Sequence, residues 1–217
     1  MSEHCCAHSC APKGPPDSRF RRALWIALVV NATMFGVELV GGVESASTSL
    51  LADAVDFFAD ATNYGVALLV LSMAAVWRSR AALFKGLCMG AFGLFVMAKT
   101  AWSVSLGVVP EPVTMGAIGL LALCANLGVA VLLYAFRSGD ANMRSVWLCT
   151  RNDAIGNIAV MLAAAGVFGS GSGWPDWIVA MLMGVLALKA SWSVVRLAQE
   201  EMREHAAPAA AHHHQHP

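Results

Sequence analysis

Long apolar runs alternate with short polar segments along the whole chain, and six of the runs are long enough to cross a bilayer. A membrane-spanning helix needs about 20 consecutive apolar residues. The runs lie near residues 23–43, 49–76, 83–108, 113–136, 146–168 and 174–196. The pattern predicts an all-α membrane protein with six transmembrane helices in one domain, residues 23–197. A flexible tail over residues 1–22 and a short tail over residues 198–217 complete the expected organisation.

The composition agrees with this prediction. Of the 217 residues, 58% are hydrophobic and 13% are charged, with a mean hydropathy of +0.62, whereas soluble domains are about 25% charged. The formal net charge is zero, and no nucleic-acid partner is expected; the surrounding partner is the lipid bilayer.

The placement of positive charge predicts the orientation. Most Lys and Arg residues lie outside or at the ends of the six runs, on the side that carries both termini; these include Arg19, Arg78, Lys85, Arg137, Arg151 and Arg196. The opposite connections, residues 41–48, 108–112 and 169–176, contain no Lys or Arg. Because positive charge is retained on the cytoplasmic side, both termini are expected to be cytoplasmic, which suits a bacterial inner membrane.

Polar side chains interrupt the second apolar run along one stripe. Asp53, Asp56, Asp60 and Asn63 fall within about 80° of arc on an α-helix, so they share a face. Each ionised carboxylate at the centre of a membrane helix costs roughly 2.5 to 3.5 kcal/mol on insertion scales. Such a stripe therefore indicates that a cation binds there.

The fifth apolar run carries a matching set. Cys149 and Asp153 are four residues apart, as are Asp56 and Asp60, so each pair stacks on one helix face. Two facing pairs supply the four ligands of a tetrahedral divalent site. Asp153 with Asn157 is the competing pair on this helix, although an amide oxygen is the poorer ligand for a soft ion. Paired carboxylates repel each other, so protons would neutralise the empty site and an arriving metal ion would expel them.

These motifs resemble those of the cation diffusion facilitators. The stretch from Ser47 to Asp60 (STSLLADAVDFFAD) resembles that family's second-helix motif, and residues 153–160 (DAIGNIAV) resemble its fifth-helix motif, with Cys149 where His or Asp is usual. Asn31 and Glu38 resemble polar positions of its first helix. The resemblance implies a homodimeric six-helix exporter that exchanges cytoplasmic divalent metal for protons, and not an enzyme. It also implies a short form, because the expected helices leave no room for the ferredoxin-like cytoplasmic domain that members commonly add.

The remaining candidate ligands are secondary. Asp53, near the expected outer end of its helix, is interpreted as a ligand or as a residue behind the ligands, and the same holds for Asn157, Glu38 and Asn31. The two tails could gather metal in the cytoplasm through imidazole and thiolate groups, namely those of His4, Cys5, Cys6, His8, Cys10, His212, His213, His214 and His216. Asp and Cys together favour zinc, with cadmium, cobalt and nickel as alternatives, and no prosthetic group is expected.

Two other functions fit parts of the pattern. A membrane metal sensor would use the same ligands without flux. An intramembrane aspartyl hydrolase would need two facing aspartates, which Asp60 and Asp153 could provide, but it would give Asp56 and Cys149 no role.

Overall fold

The computed structural model describes the backbone of residues 18–69, 75–135 and 141–206, and side chains within 18–69, 79–135 and 153–203. This part of the chain consists of helices and contains no strand. The six helices are α1 (Ser18–Glu44), α2 (Thr48–Leu69), α3 (Ala75–Leu106), α4 (Pro112–Tyr134), α5 (Ala141–Ser170) and α6 (Trp174–Ala206).

The boundary between the second and third helices differs from the prediction. The apolar run predicted for residues 49–76 contains the end of α2 at Leu69 and the start of α3 at Ala75. Hydropathy is high on both sides of this boundary, so a hydropathy pattern cannot reveal it. At the two ends of the bundle, α1 and α6 extend beyond the predicted domain of residues 23–197, because helices continue past the apolar stretch that hydropathy detects.

Five of the described helical segments are long and apolar enough to cross a membrane: Ser18–Glu44, Ser79–Leu106, Pro112–Tyr134, Asp153–Ser170 and Trp174–Arg203. Large apolar side chains such as Phe84, Val131 and Phe168 cover their outward faces. These features are those of an integral membrane protein. The helix α2 is absent from the set, since every 18-residue window of its 22 residues contains three aspartates.

The three short connections between paired helices gather at one end of the molecule, which we call the loop end. The backbone N–H of Glu111 donates to the Ser45 carbonyl oxygen at 2.9 Å, which joins the α3–α4 and α1–α2 connections. A Cβ atom at Gly173 would clash with the Val108 carbonyl oxygen, so the α5–α6 connection packs against the α3–α4 connection. The start of α1 and the end of α6 lie at the opposite end, because short connections make consecutive helices antiparallel.

Asp176 on α6 stabilises the start of α2 at the loop end. Its fully buried carboxylate accepts hydrogen bonds from the Ser47 hydroxyl (2.7 Å), the Thr48 N–H and hydroxyl (both 2.8 Å) and the Ser49 N–H (3.0 Å). Ser47 acts as the N-cap and accepts from the Leu50 N–H at 3.2 Å. The first N–H groups of a helix have no partner within it, so a carboxylate from α6 satisfies them and fits the positive end of the helix dipole.

The helix α2 has the most central position in the bundle. It contacts α1, α3, α5 and α6, while α3 packs most extensively on α6 and α4 on α5. Close approach of α3 to α6 depends on small residues: a Cβ at Gly90 would lie 2.7 Å from the Ser191 hydroxyl oxygen, which donates to the Gly86 carbonyl oxygen at 2.7 Å. This packing places the polar stripe of α2 inside the protein, away from lipid.

Candidate metal centre

Asp60 lies at the middle of a buried polar group that we call the central cluster: Asp60, Asp153, Lys85 and Asn63. The Asp60 side chain is 7% exposed; its carboxyl hydrogen-bonds with that of Asp153 on α5 and is attracted electrostatically by the Lys85 ammonium on α3. Tyr64 donates from its hydroxyl to Asp60 Oδ2 at 3.3 Å. The two aspartates predicted to face each other are therefore neighbours.

The geometry of α2 and α5 explains why these two aspartates meet. The two helices are antiparallel and in contact, so a step of four residues back along α2 corresponds to a step of four residues forward along α5. Because Asp60 lies level with Asp153, Asn157 lies level with Asp56. At about 1.5 Å per residue, that second level is about 6 Å closer to the loop end.

Lys85 is the main residue that sequence reasoning placed wrongly. The charge pattern put it at the end of a span, whereas it lies within α3, is 5% exposed and donates from Nζ to Asn63 Oδ1. The lysine that the charge pattern placed at a membrane boundary is thus a buried cation that acts on Asp60. No signal in the sequence indicates this, because the start of α3 at Ala75 is visible only in the structure.

The predicted four-ligand set is only partly within the described residues. Asp56 and Asp153 are half-buried on α2 and α5. The Cys149 side chain lies outside the described side chains, as do the His and Cys residues of both tails, between His4 and Cys10 and between His212 and His216. Within the described side chains, no three His, Cys, Asp or Glu residues converge closely enough to hold a metal ion.

A second acidic group lies closer to the loop end. Glu38 on α1 and Asp53 on α2 are 0% and 2% exposed, and their carboxyl groups interact with each other. Asp53 also approaches α5, because its Oδ1 atom lies 3.8 Å from the place where a Cβ at Gly156 would stand. Sequence reasoning placed Asp53 near the outer end of its helix; the structure buries it between three helices.

Buried amides accompany these carboxylates. Asn31 donates from Nδ2 to the Ala27 carbonyl oxygen at 2.8 Å, and its Oδ1 atom has no hydrogen-bond partner among the described residues. Asn157 is fully buried, and neither polar atom of its amide has a described partner. Asn126 on α4 is also buried, and its Oδ1 atom has no hydrogen-bond partner among the described residues. The sequence analysis did not single out this residue, although it is an amide within the fourth apolar run. Such oxygens can act as acceptors for a cation.

The chemistry of these donors suits a divalent cation. Carboxylate and amide oxygens are ligands for hard and borderline divalent ions, and two adjacent buried carboxylates are unfavourable unless a positive charge or a proton accompanies them. The central cluster holds one lysine against two aspartates, so it retains room for further positive charge.

Comparison with known proteins gives a consistent picture. Residues 24–201 match the family described as the cation efflux transmembrane domain. The chain is 25% identical over 187 residues to the metal cation efflux system protein CzcD of Cupriavidus metallidurans, covering 81% of this chain and 59% of that protein. It is 28% identical over 203 residues to the zinc transporter ZitB of Escherichia coli, covering 88% of this chain and 64% of ZitB.

A third relative is the cadmium, cobalt and zinc/H(+)-K(+) antiporter of Bacillus subtilis. It is 24% identical over 194 residues, which are 81% of this chain and 61% of the antiporter. The chain therefore spans about three fifths of the length of the curated relatives that it matches.

Proposed function

Because the chain belongs to the cation diffusion facilitator family of metal cation transporters, we propose that it exports a divalent metal ion in exchange for protons. Zinc is the preferred ion in this proposal, and cadmium, cobalt and nickel are the alternatives. The ion binds between α2 and α5, at Asp56, Asp60 and Asp153 together with Cys149 or Asn157.

The contact between the Asp60 and Asp153 carboxyl groups carries this proposal. Two carboxylates that meet in a buried place repel each other when both are ionised, so each state of the site needs positive charge. A metal ion supplies that charge in the loaded state. Protons supply it in the unloaded state, and an incoming metal ion displaces them. Exchange of metal for protons then follows from charge balance at one pair of residues.

Lys85 has a defined role in this scheme. Its ammonium group lies beside Asp60 and donates to Asn63, so it partly neutralises the cluster when no metal is bound. A divalent ion that enters must overcome repulsion from this lysine. Lys85 therefore keeps metal binding weak enough for release, which a transporter requires and a storage protein does not.

The fourth ligand and the choice of metal are linked. Cys149 would supply a thiolate, which favours zinc and cadmium, whereas Asn157 would supply an amide oxygen, which favours harder ions. Replacement of Cys149 by Ser should change the order of metal preference if the thiolate is a ligand. An unchanged order would favour Asn157 as the ligand.

The test is zinc transport in inside-out vesicles with an imposed proton gradient. Both termini are proposed to be cytoplasmic, so the wild-type chain is expected to accumulate zinc in these vesicles. Asp60→Asn and Asp153→Asn each remove one carboxylate without changing the size of the side chain, and both should abolish uptake. Lys189→Gln, on the exposed surface of α6, is the matched control and should transport normally.

The outcomes separate the candidate functions. Full transport in both Asp variants would refute the site between α2 and α5. Zinc binding without flux in the wild-type chain would favour a sensor. Peptide-bond cleavage that survives removal of metal by a chelator would favour a hydrolase. Removal of residues 1–16 should lower only the apparent affinity, since the tail is proposed to gather metal and not to form the path.

A further inference from the structure

Glu38 and Asp53 form a buried acidic pair. The proposed exchange of metal for protons at the central cluster does not involve this pair. Both oxygens of Glu38 and the Oδ2 atom of Asp53 are buried and receive no hydrogen bond from a described N–H or hydroxyl group, while the two carboxyl groups interact with each other. Buried polar groups without partners are rare in native proteins and call for an explanation such as an ion. The pair is therefore an unexplained acceptor site inside the bundle.

The charges around the pair make the need for a cation sharper. The charged groups that act on Glu38 are Asp53 and Asp56, which are both acidic. No described lysine or arginine pairs with Glu38 or Asp53. Lys85 is at the level of Asp60, seven residues along α2 from Asp53, which is about 10 Å away along the helix axis. Among the described side chains, the pair therefore has no basic partner, and Lys85 acts at the central cluster instead.

A third oxygen donor adjoins the pair. Asn157 lies one helical turn beyond Asp153, on the same face of α5 and between the levels of Asp60 and Asp53. Its amide is fully buried, and its oxygen has no described partner. Gly156, next to Asn157, lets α5 pack closely against α2: a Cβ there would lie 3.5 Å from Met183 Cε and 3.8 Å from Asp53 Oδ1. Three helices thus bring oxygen-bearing side chains to one part of the bundle.

We propose that Glu38 and Asp53 form a second site for a divalent cation, on the loop-end side of the central cluster. Its donors are carboxylate oxygens, with the Asn157 amide oxygen within reach, so it should prefer oxygen-seeking ions such as manganese over soft ions. On the proposed function, on which this role rests, the site receives the ion that leaves Asp60 and Asp153. Asp60 and Asp53 lie about 10 Å apart along α2, and Asp56 of the transport site lies between them, so the ion passes from Asp60 by way of Asp56 to the pair.

Manganese binding to the purified full chain tests the second site. Mn²⁺ is a suitable probe because imidazole and thiolate groups of the tails bind it poorly compared with carboxylates. Bound Mn²⁺ is measured by equilibrium dialysis and electron paramagnetic resonance. Glu38→Gln and Asp53→Asn should each weaken this binding by about tenfold or more. Asp60→Asn should retain manganese at the second site, and Glu111→Gln, at an exposed loop position, is the matched control for removal of an acid.

The results are decisive in either direction. Wild-type manganese affinity in both Glu38→Gln and Asp53→Asn would overturn the second site. Loss of both manganese and zinc binding in these two variants would also overturn it, because the pair would then only support the fold. Selective loss of manganese with zinc binding retained supports it.

The two proposals fail separately. Normal zinc flux in Asp60→Asn would remove the proposed transport site, and the manganese result would still stand as evidence for a binding site. Conversely, abolished flux in Asp60→Asn with unchanged manganese binding in Glu38→Gln would leave transport in place and remove only the second site.

Discussion

The central cluster and the Glu38–Asp53 pair both include an aspartate of α2, Asp60 and Asp53, seven residues apart, yet their charges are balanced differently. At the central cluster, two aspartates face the ammonium group of Lys85. At the pair, two carboxyl groups face each other, and the other charged group that acts on Glu38 is the acidic Asp56. The difference shows that the acid stripe of α2 acquires its chemistry from the helices beside it.

The neighbouring helix α1 contributes to this difference. Asn31 and Glu38 are seven residues apart on one face of α1, as Asp60 and Asp53 are on α2. Because the two helices are antiparallel, Glu38 lies level with Asp53, and Asn31 then lies level with Asp60. At one level α1 therefore adds an amide and α3 adds a lysine, while at the other level α1 adds a further acid.

Removing the lysine should have the largest effect. Lys85→Gln leaves Asp60 and Asp153 without their buried cation, and breaking a buried ion pair costs about 3 to 5 kcal/mol. The metal-free variant should unfold at a lower temperature in detergent micelles, and zinc should restore more stability than it adds to the wild type. Lys189→Gln, exposed on α6, is the control; equal behaviour of the two variants would mean that Lys85 does not balance the cluster.

Removing the charge of Asp176 at the start of α2 should destabilise the helix that carries both regions. Asp176→Asn replaces a charged acceptor of four hydrogen bonds with a neutral one, and hydrogen bonds to charged groups contribute about 1.5 to 3 kcal/mol each. We expect a loss of about 2 kcal/mol in SDS-induced unfolding. Ser47→Ala, which removes the N-cap hydroxyl, should cost about 1 kcal/mol; an Asp176→Asn effect below that of Ser47→Ala would contradict the assigned role.

Removing an acid from the pair should change stability in the opposite direction to the lysine variant. Glu38→Gln removes one of two adjacent buried carboxyl groups, and like charges that are buried together are unfavourable when both are ionised. Thermal unfolding without metal should therefore show a small gain for Glu38→Gln and a loss for Lys85→Gln. A loss of similar size in both variants would mean that the two regions are not balanced differently.

An exposed acid at the loop end should show the smallest effect. Hydrogen bonds from Thr114 and Val113 lower the pKa of Glu111 below its ordinary value. A lowered pKa in the folded state stabilises the fold above the ordinary Glu pKa and loses this contribution as the pH falls through the folded-state value. Glu111→Gln should therefore be slightly less stable than wild type at neutral pH and equal to it in strong acid, as followed by thermal unfolding across pH. A difference that grew toward acid pH would have the wrong sign.

Membership of the cation diffusion facilitators was predicted from two motifs and is confirmed by the match over residues 24–201. The described part of each apolar run is helical, as predicted. Asp60 and Asp153 are neighbours, and their role as metal ligands stays a prediction. The boundary after Leu69 was not predictable from hydropathy, because apolar residues continue without a break into α3.

The roles of Lys85 and Asp176 were not visible in the sequence for a different reason. Each looked like a charge near the end of an apolar run, where exposure to water is the normal expectation. Lys85 is buried because α3 begins earlier than its apolar run and packs beside α2. Asp176 is buried because three distant connections meet at the loop end, which only the packing of six helices could bring about.

The sequence by itself determined that the apolar runs form helices, that α2 carries an acidic stripe, and to which family the chain belongs, since these depend on local periodicity and motif spacing. The tertiary structure decided which acids have a lysine nearby, which face each other without one, and which cap a helix. Those properties depend on distances between helices far apart in the sequence, and the energy of a charge inside a membrane protein is decided by its nearest neighbours in space.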